Sequence, residues 1–294
     1  MDETSGSTVP RRQLGRLLTQ LREEAAVTLD AAAEELDCSR QKIWRIEKGL
    51  VPARVIDVRA LCTRYGVAEE VTELVLGLAR ETRATGWWHS YGSAVPTWFS
   101  LYVGLEERAR QVRMYNGELI PGLLQTRAYA TELFRRKSPT MPPEEREKLV
   151  TVRLQRQNVL TRRLPPAPTL RVVLSEAVLL RSPLDRAGMG DQLRHLLEAG
   201  DRDNISIRVL PLAAGPSLAS ETGAFVILDF PAAFGRVATE PTTIYVEGIT
   251  GALYLDKPAE VAAYAYVWSD LDSRALDERQ SARLIGETIG ERYA

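Results

Sequence analysis

The sequence has few residues of the kinds that build metal or redox sites. It contains 2 cysteines and 2 histidines among 294 residues, and the histidines, His89 and His195, are far apart. Zinc sites use Cys and His ligands at short, regular spacings, which this chain lacks. Cys38 and Cys62 are interpreted as small apolar core residues rather than as a redox pair. The sequence therefore predicts no metal and no cofactor.

Motifs for nucleophilic catalysis and nucleotide binding are also missing. There is no G-x-S-x-G turn for a serine nucleophile and no G-x-x-x-x-G-K-[ST] phosphate loop. Gly188-Met189-Gly190 lacks the third glycine of a dinucleotide-binding loop. His195 lies among leucines and is interpreted as a structural histidine. We therefore expect a protein that is not an enzyme.

Long apolar runs are absent too. None approaches the roughly 18 residues that a membrane span needs, and the first residues, MDETSGSTVPRRQ, do not resemble a secretion signal. We expect a cytoplasmic protein without membrane contact. With 45% hydrophobic and 26% charged residues in 294 positions, the composition suits a globular protein of two domains.

Apolar residues recur at helical spacing in five short segments of the first 80 residues. Thr28 and Ser39 are placed to cap the second and third of these helices, and Gly49 to end the third. The residues that define the helices are Leu14, Leu17, Leu18 and Leu21; Leu29, Ala32, Ala33 and Leu36; Ile43 and Ile46; Val55, Val58, Leu61, Cys62 and Tyr65; and the segment 68–78. This pattern predicts a compact all-α domain.

Charge is distributed unevenly although the formal net charge is only −1. Residues 39–59 hold six basic and two acidic residues, whereas 23–37 hold six acidic residues and no basic one. Residues 102–164 sum to +6 and residues 165–294 to −6. One side of the helical domain is therefore expected to be basic, which is the footprint of a phosphate-binding surface.

The segment LREEAAVTLDAAAEELDCSRQKIWRIEKGLVPARVIDVRALCTRYGV resembles the XRE (Cro/C1-type) helix-turn-helix family. The resemblance rests on an ordered set of residues: Ala33, Ser39, Ile43, Arg45-Ile46-Glu47, Gly49 and the apolar positions of the fourth helix. It implies a five-helix λ-repressor-like fold and a sequence-specific transcriptional regulator that binds double-stranded DNA. Asp37 stands at a turn position where the family often has glycine, and it is expected to adopt a left-handed conformation.

The third helix is then the one that enters the major groove, where its N-terminal outward face reaches base edges. Arg40, Gln41 and Arg45 are the expected base contacts, since Arg pairs with guanine and Gln with adenine. The expected phosphate contacts are Ser39, Lys42, Lys48 and Arg54. Trp44 is expected to point outward, either onto a thymine methyl or sugar or onto the second domain. The competing interpretation is that these charges form a solvated helix face.

Four segments are predicted along the chain: a disordered N-terminus (1–10), the helix-turn-helix domain (11–81), an aromatic-rich linker (82–101) and an α+β domain (102–294). The linker carries five aromatic residues. They are expected to pack on the adjacent domain or a second subunit, or else to form a ligand-binding cage.

A DNA-binding domain with so little net charge neutralises few phosphates by itself. A homodimer on a palindromic site is therefore expected, since affinity rises with the number of phosphates neutralised.

The last segment is predicted to contain helices at 102–116, 124–137, 144–163, 186–200, 257–276 and 277–290, and strands at 169–175, 205–210, 223–229 and 243–247. Its phrases YVGLEERARQVRMYNGELIPGLLQTRAYA and TIYVEGITGALYLDKPAEVAAY resemble the DUF5753 family of actinobacterial regulators. The resemblance implies control by a small partner protein of the DUF397 type. A small-molecule ligand and an antitoxin-like pairing remain open, and the turn PGLLQT is either a structural corner or part of such a binding surface.

Overall fold

The structure is a computed structural model that describes residues 9–81, 97–233, 237–238, 240–249 and 251–294. These residues form two compact units, the first made of 9–81 with 99–105 and the second of 97–98 with 106 onward. Most of the predicted linker (82–96) and of the predicted disordered N-terminus (1–8) lies outside the described residues. Residues 97–101 of that linker belong to a helix in the structure.

The first unit contains the five predicted helices. They are α1 (Val9–Glu24), α2 (Leu29–Glu35), α3 (Arg40–Glu47), α4 (Val55–Arg64) and α5 (Glu69–Glu81). The predicted caps are present: the hydroxyls of Thr28 and Ser39 accept hydrogen bonds from the amides of Ala31 and Lys42. Local sequence signals thus set where these helices begin.

The turns on either side of α3 contain residues with positive φ, at Asp37 (φ 46°) and Gly49 (φ 67°). The left-handed conformation expected at Asp37 is confirmed. Glycine is required after α3 for a second reason, because a Cβ on Gly49 would lie 2.8 Å from the Arg12 Cα in α1. These turns fix the path of the chain into and out of α3.

The core of the first unit is formed by one face of each helix. Leu14, Leu18, Ile43, Ile46 and Val58 are at most 2% exposed, as the helical spacing predicted. Burying such side chains contributes about 1.5–3 kcal/mol each relative to exposure. The core therefore holds α3 by its apolar face and leaves the opposite face outward.

The second unit is built on a six-stranded mixed sheet. Its strands are β1 (Gln111–Asn116), β2 (Thr169–Ser175), β3 (Ile205–Leu210), β4 (Phe225–Asp229), β7 (Thr243–Gly248) and β8 (Gly251–Leu255), and a separate small hairpin contains β5 (Ala232–Ala233) and β6 (Val237–Ala238). The strand order in the sheet is β3-β2-β1-β4-β7-β8. Strands β3, β2 and β1 are parallel, whereas β1 with β4, β4 with β7 and β7 with β8 are antiparallel.

Helices connect and cover the strands, because parallel neighbours need crossover connections. These helices are α7 (Arg127–Lys137), α8 (Pro143–Arg156), α9 (Glu176–Leu180), α10 (Arg186–Gly200), α11 (Ala219–Thr222), α12 (Pro258–Arg274) and α13 (Glu278–Thr288). Helix α6 (Thr97–Arg108) precedes β1, and its residues 99–105 belong to the first unit. Trp268 and Leu271 of α12 pack in one core cluster with Tyr115, Val173 and Phe225 of the sheet. The predicted fold class, an all-α five-helix domain followed by an α+β domain, is confirmed.

The predicted helix over 102–116 is wrong. The helix in this region ends at Arg108, and Gln111–Asn116 is strand β1 in the middle of the sheet. The segment is extended because it hydrogen-bonds to β2 on one side and β4 on the other, which are distant in sequence. Strand β8 was not predicted either. The helix predicted over 144–163 ends earlier than expected, because α8 ends at Arg156 and a 3-10 turn follows at Gln157–Leu160. The other predicted strands and helices are present within a few residues of their predicted ends.

Candidate nucleic-acid interface

Three side chains of α3 and that of Lys48, the residue after it, form one exposed stripe. Gln41, Trp44, Arg45 and Lys48 are all exposed, and their spacing of three and four residues places them on one face of the helix. The opposite face is buried through Ile43 and Ile46. The helix therefore presents an amide, an indole and two cations along its outward side.

Basic side chains dominate the surface of 39–59. The two acidic residues of this segment, Glu47 and Asp57, have side chains that are only 6% and 7% exposed. Its basic residues, in contrast, keep at least 43% of their side-chain area exposed where an ion pair is formed. Both acids lie beneath the surface and are paired with cations, Glu47 with Arg22 and Asp57 with Arg54 and Lys42, so the charged groups that this segment exposes to a polyanion are basic.

The three predicted base contacts do not lie on one stripe. Gln41 and Arg45 do, whereas the Arg40 guanidinium lies 3.7 Å from the carboxylate of Asp30 in α2. Both side chains of that pair are about two-thirds exposed, so the pair is screened by water and readily exchanged for another anion. Within the described residues, Arg45 makes no ion pair.

The four predicted phosphate contacts divide into three environments. The Ser39 hydroxyl caps α3 by accepting from the Lys42 amide at 3.3 Å, and Lys48 belongs to the exposed stripe. Arg54 and Lys42 converge on Asp57, a residue for which the sequence predicts no role. Arg54 is the residue before the first turn of α4 and is held by a bidentate contact with Asp57.

Trp44 is 44% exposed, which agrees with the outward orientation expected from its position between two core isoleucines. Leu50 and Ile56 are also exposed, at 45% and 71%. Apolar side chains next to the basic residues offer contact area for thymine methyl groups or sugars.

A buried ion pair anchors the C-terminal end of α3, and no sequence pattern indicates it. The Glu47 carboxylate accepts from Nε and Nη2 of Arg22 at 2.7 and 3.0 Å, and Nη1 of Arg22 donates to the Val27 carbonyl. The hydrogen bond to Glu47 raises the pKa of Arg22. Since Arg22 precedes Glu47 by 25 residues, no periodicity links the two. The pair fixes the orientation of α3 relative to α1.

In the second unit, the PGLLQT turn is a buried corner. Gln192 accepts from the Thr126 amide at 2.7 Å and donates to the Leu124 carbonyl at 2.8 Å, while Gln157 donates to the carbonyls of Gly122 and Gln125. These amide contacts support the structural interpretation of the motif.

Two other features of the described residues bear on function. No group of three or more His, Cys, Asp and Glu side chains among them could hold a metal ion. No helix in the described ranges is long and apolar enough to cross a membrane. His195 is half-buried in α10, and His89 lies outside the described residues.

The geometry defines a helix-turn-helix protein with a second, α+β domain. A family model described as a helix-turn-helix domain matches residues 13–75, and the model for a domain of unknown function, DUF5753, matches residues 99–287. The chain belongs to the DUF5753 family, and both resemblances noted in the sequence are confirmed. No curated protein and no solved structure matches the chain. The helix-turn-helix domain supports a DNA-binding regulator rather than an enzyme.

Proposed function

We propose that the protein is a sequence-specific transcriptional regulator that reads the major groove with α3. Gln41 and Arg45 contact base edges from the exposed stripe, and Arg40 joins them by exchanging Asp30 for DNA. Ser39, Lys42, Lys48 and Arg54 contact phosphates. The observation that supports this most is the burial of both acidic residues in 39–59, which leaves that surface basic in a chain of net charge −1.

The proposal is tested by selecting genomic fragments with the full-length protein and measuring affinity for the selected site at about 0.15 M salt. Arg40→Ala with Arg45→Ala should weaken binding by about 100-fold, since removing each bidentate base contact costs roughly 1–3 kcal/mol. The matched control, Arg64→Ala with Arg80→Ala, removes the same charge from exposed positions outside 39–59 and should change affinity far less. Equal effects of the two pairs, or no fragment selected by the wild type, would refute the proposal.

We also expect two copies of the chain on a palindromic operator. Each copy contributes only a few cationic contacts, and affinity rises with the number of phosphates neutralised. Footprinting should show two half-sites about one helical turn apart. A single protected half-site at saturating protein would contradict the dimer.

The second domain is proposed to control DNA binding through a small partner protein of the DUF397 type or a small molecule. A protein that only binds DNA would need only the helical unit, so we assign the α+β unit another role. Co-purification with a co-expressed small partner would support the first; a thermal shift with metabolites alone would support the second. The absence of both responses would contradict control through this domain.

A further inference from the structure

Asp57 is a buried carboxylate in the first turn of α4 that binds two exposed cations. Its side chain is 7% exposed and accepts from Arg54 Nη2 at 2.7 Å and from Arg54 Nε at 3.0 and 3.1 Å. The Lys42 ammonium, from α3, lies 4.0 Å from its Oδ2 atom. The carboxylate therefore joins the beginning of α3 to the beginning of α4.

Stability alone does not account for this arrangement. The Arg54 side chain is 64% exposed, and ion pairs with an exposed partner contribute little. Burying the carboxylate, in contrast, carries a desolvation cost that an apolar side chain of similar size would avoid. The N-terminal dipole of α4 offsets part of that cost. What the contact does specifically is fix the orientation of a side chain that otherwise samples many rotamers.

The contact leaves part of the guanidinium available. Asp57 takes the edge formed by Nε and Nη2, and Nη1 of Arg54 donates to no residue in the described part of the chain. Lys42 keeps 43% of its side-chain area exposed. One carboxylate between two cations leaves one net positive charge, which a phosphate would neutralise.

We infer that Asp57 is a positioning residue for DNA binding, which holds Arg54 and Lys42 in place as a two-cation contact for the phosphate backbone. The inference rests on the proposed function. An acidic residue repels DNA by its own charge, yet the inference predicts that Asp57 raises the affinity for DNA. The two effects change the affinity in opposite directions, so an experiment can distinguish them.

The test compares Asp57→Asn with wild type on the selected operator, with affinity measured across a salt series. If Asp57 positions the cations, affinity should fall about tenfold near 0.15 M salt and the salt dependence should become shallower, by roughly 0.9 for each phosphate that is no longer neutralised. If Asp57 acts only through its charge, affinity should rise and the salt dependence should steepen. The matched control is Asp30→Asn, the same change at an exposed carboxylate beside Arg40, which should bind as tightly as wild type or more tightly.

A double-mutant cycle assigns the effect to Arg54. In an Arg54→Ala background, Asp57→Asn should lower affinity much less than it does in the wild type, because only Lys42 is then left for Asp57 to position. Arg54→Lys, which keeps the charge but cannot form the bidentate contact, should weaken binding like Asp57→Asn, so the inference stays testable if Asp57→Asn fails to fold. Tighter binding by Asp57→Asn, an unchanged effect in the Arg54→Ala background, or wild-type affinity of Arg54→Lys would each overturn it. A wild type that selects no DNA would refute the proposed function instead.

Discussion

Gly15→Ala tests how closely α1 and α3 must approach. A Cβ at Gly15 would lie 2.3 Å from the Glu47 carbonyl oxygen and 2.8 Å from that of Ile46. Contacts under 3.0 Å are essentially never observed for Cβ atoms, and the obstructing atoms belong to backbone rather than to a flexible side chain. The two helices must therefore move apart to admit one methyl group.

The magnitude follows from two opposed effects. Replacing glycine by alanine inside a helix favours folding by up to about 1 kcal/mol, whereas overpacking typically costs about 1–3 kcal/mol and more when backbone must shift. The contact at Gly15 is with backbone, so we expect a net destabilisation of about 2 kcal/mol, roughly a 30-fold change in the unfolding equilibrium. Since α3 carries the proposed base contacts, operator affinity should fall as well.

Hydrogen exchange of the full chain measures this locally, through the opening free energy of amides in α1 and α3. Gly77→Ala is the matched control, because Gly77 lies in α5 and a Cβ there meets no atom within 4 Å. It should leave exchange unchanged or slower. Exchange in Gly15→Ala as slow as in Gly77→Ala would show that the close approach is not required.

Two further predictions concern ion pairs. Glu47→Ala leaves the guanidinium of Arg22 without its bidentate partner in a largely buried site and should destabilise the first unit by about 3 kcal/mol, measured by hydrogen exchange; a destabilisation below about 1 kcal/mol would contradict it. Hydrogen bonds from Arg135 and Arg136 lower the pKa of Glu132 from 4.5 to about 2, so its stabilising contribution is present above pH 4.5 and is lost as the pH falls through 2. A carboxyl titration by NMR with a midpoint near the ordinary value would refute this.

The helical unit could be predicted from the sequence because its signals are local. Thr28 and Ser39 mark helix starts through bonds to amides three residues away, and apolar residues at helical spacing define each buried face. The outward positions of Gln41, Trp44 and Arg45 follow from the same spacing. Four strands of the second unit were found similarly, as short runs of apolar residues.

Strand β1 could not be predicted in this way, because only Ala109 and Arg110 separate it from α6 and no glycine or proline marks the boundary between helix and strand. Its state is decided by partners far along the chain: Gln111 pairs with Thr169 in β2 and with Asp229 in β4. Hydrogen bonds from both sides satisfy its backbone only when the segment is extended.

The sequence by itself determined which side chains α3 turns outward, since helix geometry and burial of two isoleucines leave one face free. The excess of basic over acidic residues in 39–59 also predicted a basic surface, and only the tertiary structure decided that neither of the two acids is exposed on it. Glu47 and Asp57 are the two acidic residues between basic ones in this part of the sequence, yet both are buried. Glu47 pairs with Arg22 from α1, and Asp57 lies beneath Arg54. The physical reason is that the effect of a charged side chain on an approaching polyanion depends on how deeply it is buried and on which opposite charges lie next to it. Both depend on residues that come together only when the chain folds.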